Sequence, residues 1–310
     1  MAVQLYVDDS GAKGQPSPAV LAGLLHTAED WMDFSAAWKA VLDDEPRVWR
    51  FKMAEAASLD GPFYALSHAQ RDEKLRRLAS VVRRFRPTVF FASVDLDGFR
   101  VSIEPWETPP VNQPYFHLFF AMVWRVAYQL AICHQVEPFE AIFDRQVMHE
   151  EGVKTWYPVY RDFIERAGRA EGPHSIWVAA GALMPPQPQF RSDDDLMPLQ
   201  CADMYAYMLR CERLGDNDRF KWLRELLPPV NSAADLSMDY WRTLITGPRA
   251  PLVARLSDPD RYADLLKLGN GPGDVSRLLQ ERARQVVASR TRTSQTPQPS
   301  RTPGQPEGTA

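Results

Sequence analysis

The stretch VQLYVD, residues 3–8, running straight into DSGAKG, residues 9–14, decides how the rest of the chain is read. Val3, Leu5, Tyr6 and Val7 make a β-branched and apolar run, and the Asp, Ser and Gly that follow stop it, so the segment predicts a buried strand opening into a loop. Asp8 and Asp9 stand at the carboxyl end of that strand. Open α/β sheets gather their ligands at that end. Asp-Ser-Gly is equally ordinary turn chemistry, so the segment alone leaves both readings standing.

Outward from it, VLAGLLHT (residues 20–27) is a second apolar run, and Thr27 is placed as N-cap of an amphipathic helix whose inner face carries Trp31, Phe34, Ala37 and Trp38. VWRFKM (48–53) has the composition of a short strand. Gln70 to Phe85 spaces Leu75, Leu78, Val81, Val82 and Phe85 as one helix face, with arginines opposite and Pro87 closing it. TVFFASVDL (88–96) predicts a strand, and Asp97-Gly98 before FRVSI predicts a hairpin turn. A long apolar helix starts near Pro114, and FEAIFD (139–144) is again a short strand ending in a carboxylate. A helical pattern through Tyr157, Tyr160 and Phe163 follows, then HSIWVAA (174–180) as a strand, a Pro-rich connection MPPQPQF, and a helix from about Leu199 to Arg213. The alternation of strands and helices predicts an α/β fold.

With 310 residues, 45% hydrophobic and 11% aromatic, the chain has enough apolar area for a buried core, which excludes disorder throughout. Helical periodicity from about Asp235 to Arg284, with few strand signals, reads as a C-terminal helical extension. After Val287 the chain is Ser, Thr, Pro, Gln and Arg, too polar to offset ordering entropy. The expected organisation is therefore a domain over residues 1–215, an extension over 216–286 and a disordered tail over 287–310. Extension or tail would serve a partner protein, and Arg290, Arg292 and Arg301 would face an acidic one.

Three cysteines without paired spacing suggest neither a disulfide framework nor a thiolate zinc site. MAVQLYVDDSG lacks the pattern of a signal peptide, so a cytoplasmic setting is expected. His117 and Arg125 interrupt Tyr115 to Ile132, which reads as a core helix and not as a membrane span. A net charge of -4 offers no general attraction to phosphate backbones, so any nucleic-acid contact has to be local or metal-mediated.

Asp144 ends a buried strand as Asp8 does, and Asp203 lies in the apolar segment PLQCADMYAYML. A carboxylate in such surroundings is costly unless a cation or hydrogen bonds compensate it. Hard oxygen ligands suit Mg2+ or Mn2+, and a pair of such ions about 4 Å apart would activate water and stabilise a leaving oxygen in phosphodiester hydrolysis.

Four segments carry a resemblance in order along the chain: YVDDSG (6–11), WRFKMAE (49–55), AIFDRQ (141–146) and LQCADMYAY (199–207). Together they resemble the domain-of-unknown-function 3800 family, with Asp9 where that family has Glu. The resemblance implies a ribonuclease H-like central mixed sheet flanked by helices and a nuclease whose acids meet around Mg2+ or Mn2+. It carries Asp8, Asp144 and Asp203 over as catalytic and metal ligands, with Glu55 and Asp193 as further acids. Lys52, Gln200 and Ser10 are the substrate-binding candidates, RNA or DNA being the expected partner. Gln200 lies one helical turn before Asp203 and would orient a carboxylate or touch phosphate. FRSDDDLMPLQ (190–200) departs from the family's Asp-Ser-Lys by placing Ser192 before Asp193 and acid in place of lysine, and Asp194 and Asp195 read equally as a solvated, helix-capping loop.

His149 with Glu150 and Glu151 lacks the spacing of a zinc protease, and the other histidines show no metal spacing. GAKGQPS (11–17) is too short for a phosphate loop. The arginines of RRLASVVRRFR (76–86) read as a solvated face or a backbone-tracking surface, and Trp106 with ETPPVNQPY as a connector or a stacking loop. Two rivals to the nuclease stand: a non-catalytic nucleic-acid-binding or accessory protein on the same fold, and a phosphohydrolase with Asp8 as nucleophile. The latter wants a second Asp at the position of Ser10.

Overall fold

The computed structural model describes residues 2–11, 17–102, 113–145, 147–172, 174–194, 196–216 and 220–237. β1 (Val3–Ser10), β2 (Ala19–Thr27) and β3 (Thr88–Val94) form an antiparallel meander with β2 in the middle. β4 (Glu140–Asp144) runs parallel to β1 on its open side, and β5 (Gln189–Arg191) runs parallel to β4. β6 (Ser232–Leu236) pairs in parallel with β3. The result is a mixed six-stranded sheet in the order β5-β4-β1-β2-β3-β6.

Helices cover both faces, which is why the strands are apolar runs and not alternating ones. Leu5, Val7, Phe90 and Phe143 point to one core, which they share with α5 (Pro114–Ile132), α6 (Val147–Glu171) and α7 (Ile176–Leu183). Tyr6, Leu24, Phe91 and Ile142 point to the other, filled from α1 (Ala28–Asp43), α2 (Met53–Ser58), α3 (His68–Phe85) and α8 (Met197–Leu214). Thr27 caps α1 by accepting from the Asp30 N–H, and Ser67 with Gln70 forms a capping box on α3. Among the described residues no helix is long and apolar enough to cross a membrane.

Three local expectations are corrected. Residues 48–52 form no strand and lie outside the six-stranded sheet. Phe51 is buried instead in the helical layer, edge-on to Trp38 at 5.7 Å and to Phe63 at 6.0 Å. Asp97-Gly98 makes no hairpin: the Asp95 carboxylate accepts from the Asp97 N–H and starts α4 (Leu96–Ser102). HSIWVAA is mostly helix, since Ser175 accepts from the Trp177 N–H and caps α7, whose Trp177 stacks on Trp124 at 4.5 Å. Periodicity over so short an apolar run does not separate strand from helix.

The boundary at residue 215 also moves. Past Gly215 come α9 (Lys221–Leu226) and β6, which extends the sheet through residue 236, so this part of the supposed helical extension belongs to the α/β body. Ser93 donates to Asp235, and Arg213 grips both oxygens of the same carboxylate at 2.8 and 2.9 Å. Those contacts hold a strand whose own composition, SAADL, is a weak β signal. The rest of the extension and the tail lie outside the described residues.

Candidate carboxylate and lysine site

Sheet register assembles the acids. Val7 pairs with Phe143, so Asp8 and Asp144 follow side by side at the carboxyl ends of two parallel strands. Asp144 in turn pairs with Arg191, which places Asp193 just past the end of β5. Strand alternation puts Asp8 on the face of Tyr6 and Asp144 on the face of Ile142, the face across which α8 lies. α8 delivers Asp203 there, and the chain entering α2 delivers Lys52.

Lys52 Nζ stands 2.7 Å from Asp193 Oδ2, 3.6 Å from Asp144 Oδ2 and 3.9 Å from Asp8 Oδ2. Asp203 Oδ2 accepts a 2.5 Å hydrogen bond from the Met53 N–H, so the residue after Lys52 ties α8 to α2. Asp8 Oδ1 accepts from the Asp9 N–H at 2.7 Å. Asp8 Oδ2 is buried without a hydrogen-bond partner, a condition that costs free energy unless a charge compensates it. Among the described residues no three acid, imidazole or thiol groups are disposed to hold one ion as the side chains stand. The Lys52 ammonium provides the counter-charge.

Burial, then repulsion from Asp203, drives the Asp8 carboxyl well above its ordinary range against the pull of Lys52. Burial likewise raises Asp203 and Asp9 to about 6 and lifts Asp144. Lys52 is depressed by its own burial but raised more by Asp8, Asp203, Asp193 and Asp144, so it stays protonated. A carboxyl with a folded-state pKa above its unfolded value binds more protons when folded across the interval between the two, so stability falls as pH rises through it. With Asp9 and Asp203 moving from 3.8 to about 6, thermal melts in chelator are expected to decline from pH 4 to above pH 6. A melting temperature that rises over that interval would contradict the electrostatics of this site.

No family model, curated protein or solved structure matches this chain.

The structure brings together Asp8, Asp144, Asp193, Asp203 and Lys52, drawn from five separate segments. Gln200, Glu55 and Ser10 are not among the ion-pair partners of Lys52. Gln200 is fully buried, accepting from Trp38 Nε1 at 3.0 Å and donating to the Asp193 carbonyl at 3.0 Å. It cannot touch a substrate phosphate, and its amide holds the Asp193 loop instead. Gln200→Leu strands both partners, so it is expected to lower the unfolding free energy by about 1–3 kcal/mol, read from the denaturant midpoint. Glu55 turns to Arg50, at 2.5 Å, and not to Lys52. Ser10 ends β1 opposite Val20, half-buried.

Asp194 caps no helix: Leu196 leads α8 without a side-chain cap, and Asp194 faces Arg50 at 3.4 Å. Asp195 and Trp106 lie outside the described residues. Of the basic stretch on α3, Arg76 lies over the Trp222 ring at 4.8 Å and Arg77 pairs with Asp44, as a structural surface does.

Residues without an assigned role also gather here. Asp9 is drawn into the electrostatics of Asp144 and Asp203, and its position beside Asp8 is the signal that could have found it. The buried Tyr115 phenol is held well above its ordinary value by burial and then by Asp9, Asp8 and Asp144. The His149 ring stacks on Tyr115 at 4.6 Å. Nothing in the spacing of α5 or α6 announces that contact, which depends on how the two helices cross.

Proposed function

We propose that this protein is a divalent-metal-dependent nuclease on a ribonuclease H-like domain, akin to the domain-of-unknown-function 3800 family and cutting phosphodiester bonds of RNA or DNA. The observation that carries the reading is the convergence of four buried or half-buried aspartates from β1, β4, α8 and the loop after β5, one of them with a buried oxygen that accepts no hydrogen bond. The antiparallel β1–β2–β3 meander with β4 parallel beside β1 supports the fold assignment. A cytoplasmic setting belongs to the same reading, in which Cys133, Cys201 and Cys211 are kept in the thiol state.

The donor set fits a hard cation, because every group is a carboxylate oxygen, and burial followed by mutual repulsion raises several of them in pKa against the pull of Lys52. Asp8, Asp144, Asp203 and Asp193 would hold Mg2+ or Mn2+, which when bound supplies Lewis acidity and a water of lowered pKa. The chain's own groups do the positioning. The Met53 N–H orients Asp203, the Gln200 amide orients the Asp193 backbone, and protonated Lys52 presents a point cation to a phosphate oxygen.

The test is incubation of the purified chain with labelled RNA, single-stranded DNA and duplex DNA in Mn2+, with cleavage of at least one expected and its loss in chelator. Absence of cleavage of all three, with Asp8→Asn and Asp144→Asn cells indistinguishable from wild type, sinks the nuclease. One observation favours a non-catalytic binding or accessory protein: Lys52 already neutralises the acids from within. That reading is supported instead if RNA or protein binding is insensitive both to chelator and to Asp8→Asn.

A further inference from the structure

Trp49 is 66% exposed, whereas Trp31 and Trp38 are buried. A single exposed apolar side chain is ordinary on most proteins. Trp49 differs in what backs it. The Arg50 guanidinium lies over its indole at 4.8 Å. That guanidinium is itself pinned by Glu55 at 2.5 Å and faces Asp194 at 3.4 Å. Gly61, at φ +51, lets the chain close over Glu55, whose carboxyl would stand 2.8 Å from a Cβ at that position. On the far side Phe51 is locked between Trp38 and Phe63. The indole thus has a clamped cation over its ring while about two-thirds of the residue stays exposed.

Its place in the chain ties it to the acids. Trp49 precedes Lys52 by three residues, at most roughly 10 Å of extended backbone, and Arg50 reaches the residue after Asp193. Two of the segments that supply the site therefore meet beneath this ring.

We propose that Trp49, backed by Arg50, is a stacking platform for an unpaired base of single-stranded nucleic acid whose phosphate lies at the Lys52 site. The inference rests on the nuclease reading and specifies the substrate class of the same site. Stacking on an indole needs a base with a free face, and in a duplex both faces are taken except at the ends. Every base has such a face, so the platform selects for strandedness and not for sequence.

The test uses the full chain carrying Asp144→Asn to silence cleavage, with fluorescence anisotropy of labelled oligothymidylate and of a long two-stranded blunt duplex in Mg2+. Adding Trp49→Ala is expected to weaken single-strand binding about 5- to 100-fold, with Trp49→Phe keeping most of it and duplex affinity unchanged. Abasic sites in the oligonucleotide are expected to remove the difference between the parent protein and its Trp49→Ala variant. Unchanged single-strand binding by the Trp49→Ala protein, or an equal loss on the duplex, overturns the platform; so does failure of the parent protein to bind a single strand at all. In an otherwise wild-type chain, cleavage that proceeds equally with Trp49→Ala overturns the platform and leaves the nuclease. Single-strand binding that depends on Trp49 without any cleavage does the reverse.

Discussion

Asp8→Asn is expected to raise the melting temperature of the metal-free protein at pH 7.5 while abolishing phosphodiester cleavage. Two forces on Asp8 compete. Burial and the Asp203 charge oppose its ionisation, and the Lys52 ammonium, 3.9 Å away, favours it. Burial is the largest of these and the pKa is raised, so the ionised carboxylate destabilises the fold. A neutral isostere relieves that destabilisation, so the unfolding midpoint rises wherever the wild-type carboxyl is ionised. The same change removes a proposed ligand, and cleavage should fall by about 10³-fold or more. Thermal melts in chelator and cleavage in Mn2+ check the two halves separately. A destabilised Asp8→Asn protein would mean that the carboxylate serves the fold. A variant that cleaves normally would remove Asp8 from the chemistry.

Lys52→Met carries the opposite sign. Lys52 touches Asp193, Asp144 and Asp8 at once, so its loss leaves a group of buried carboxylates without counter-charge. Removing one partner of a buried ionic cluster costs about 3–5 kcal/mol. The loss is expected in full at pH 7.5 and to shrink at pH 5, where Asp9 and Asp203, raised to about 6, take up protons. Mn2+ at pH 7.5 should restore most of the stability, because a dication replaces the missing ammonium, whereas wild type gains less. Denaturant titrations at both pH values, with and without Mn2+, provide the measurement. A loss of equal size at pH 5 and pH 7.5, untouched by Mn2+, would show that Lys52 matters for packing and not for charge.

Several elements are legible from local pattern because their signals are long or chemically specific. β1, β3 and β4 are apolar runs bounded by turn residues or Pro, α1 carries both periodicity and a cap, and α3 carries periodicity and a closing Pro87. The acids at the ends of β1 and β4 stand out for the same reason: a charged residue that ends an apolar run is conspicuous. Segments 48–53 and 174–180 mislead because four or five apolar residues within so short a stretch satisfy a strand or a buried turn of helix alike. β5 and β6 leave no local signal, being three and five residues held in place by neighbours and not by their own propensity.

By itself the sequence determined that this chain is an α/β protein with carboxylates at strand ends, because strand and helix periods and the cost of burying a charge are local properties of residues. Tertiary structure decided which of those carboxylates share one neighbourhood. Register between β1, β4 and β5 aligned Asp8, Asp144 and Asp193, while packing of α8 and α2 added Asp203 and Lys52 and turned Gln200 and Glu55 to other partners. Pairing register and helix packing are relations between segments far apart in the chain, and no window of residues contains them.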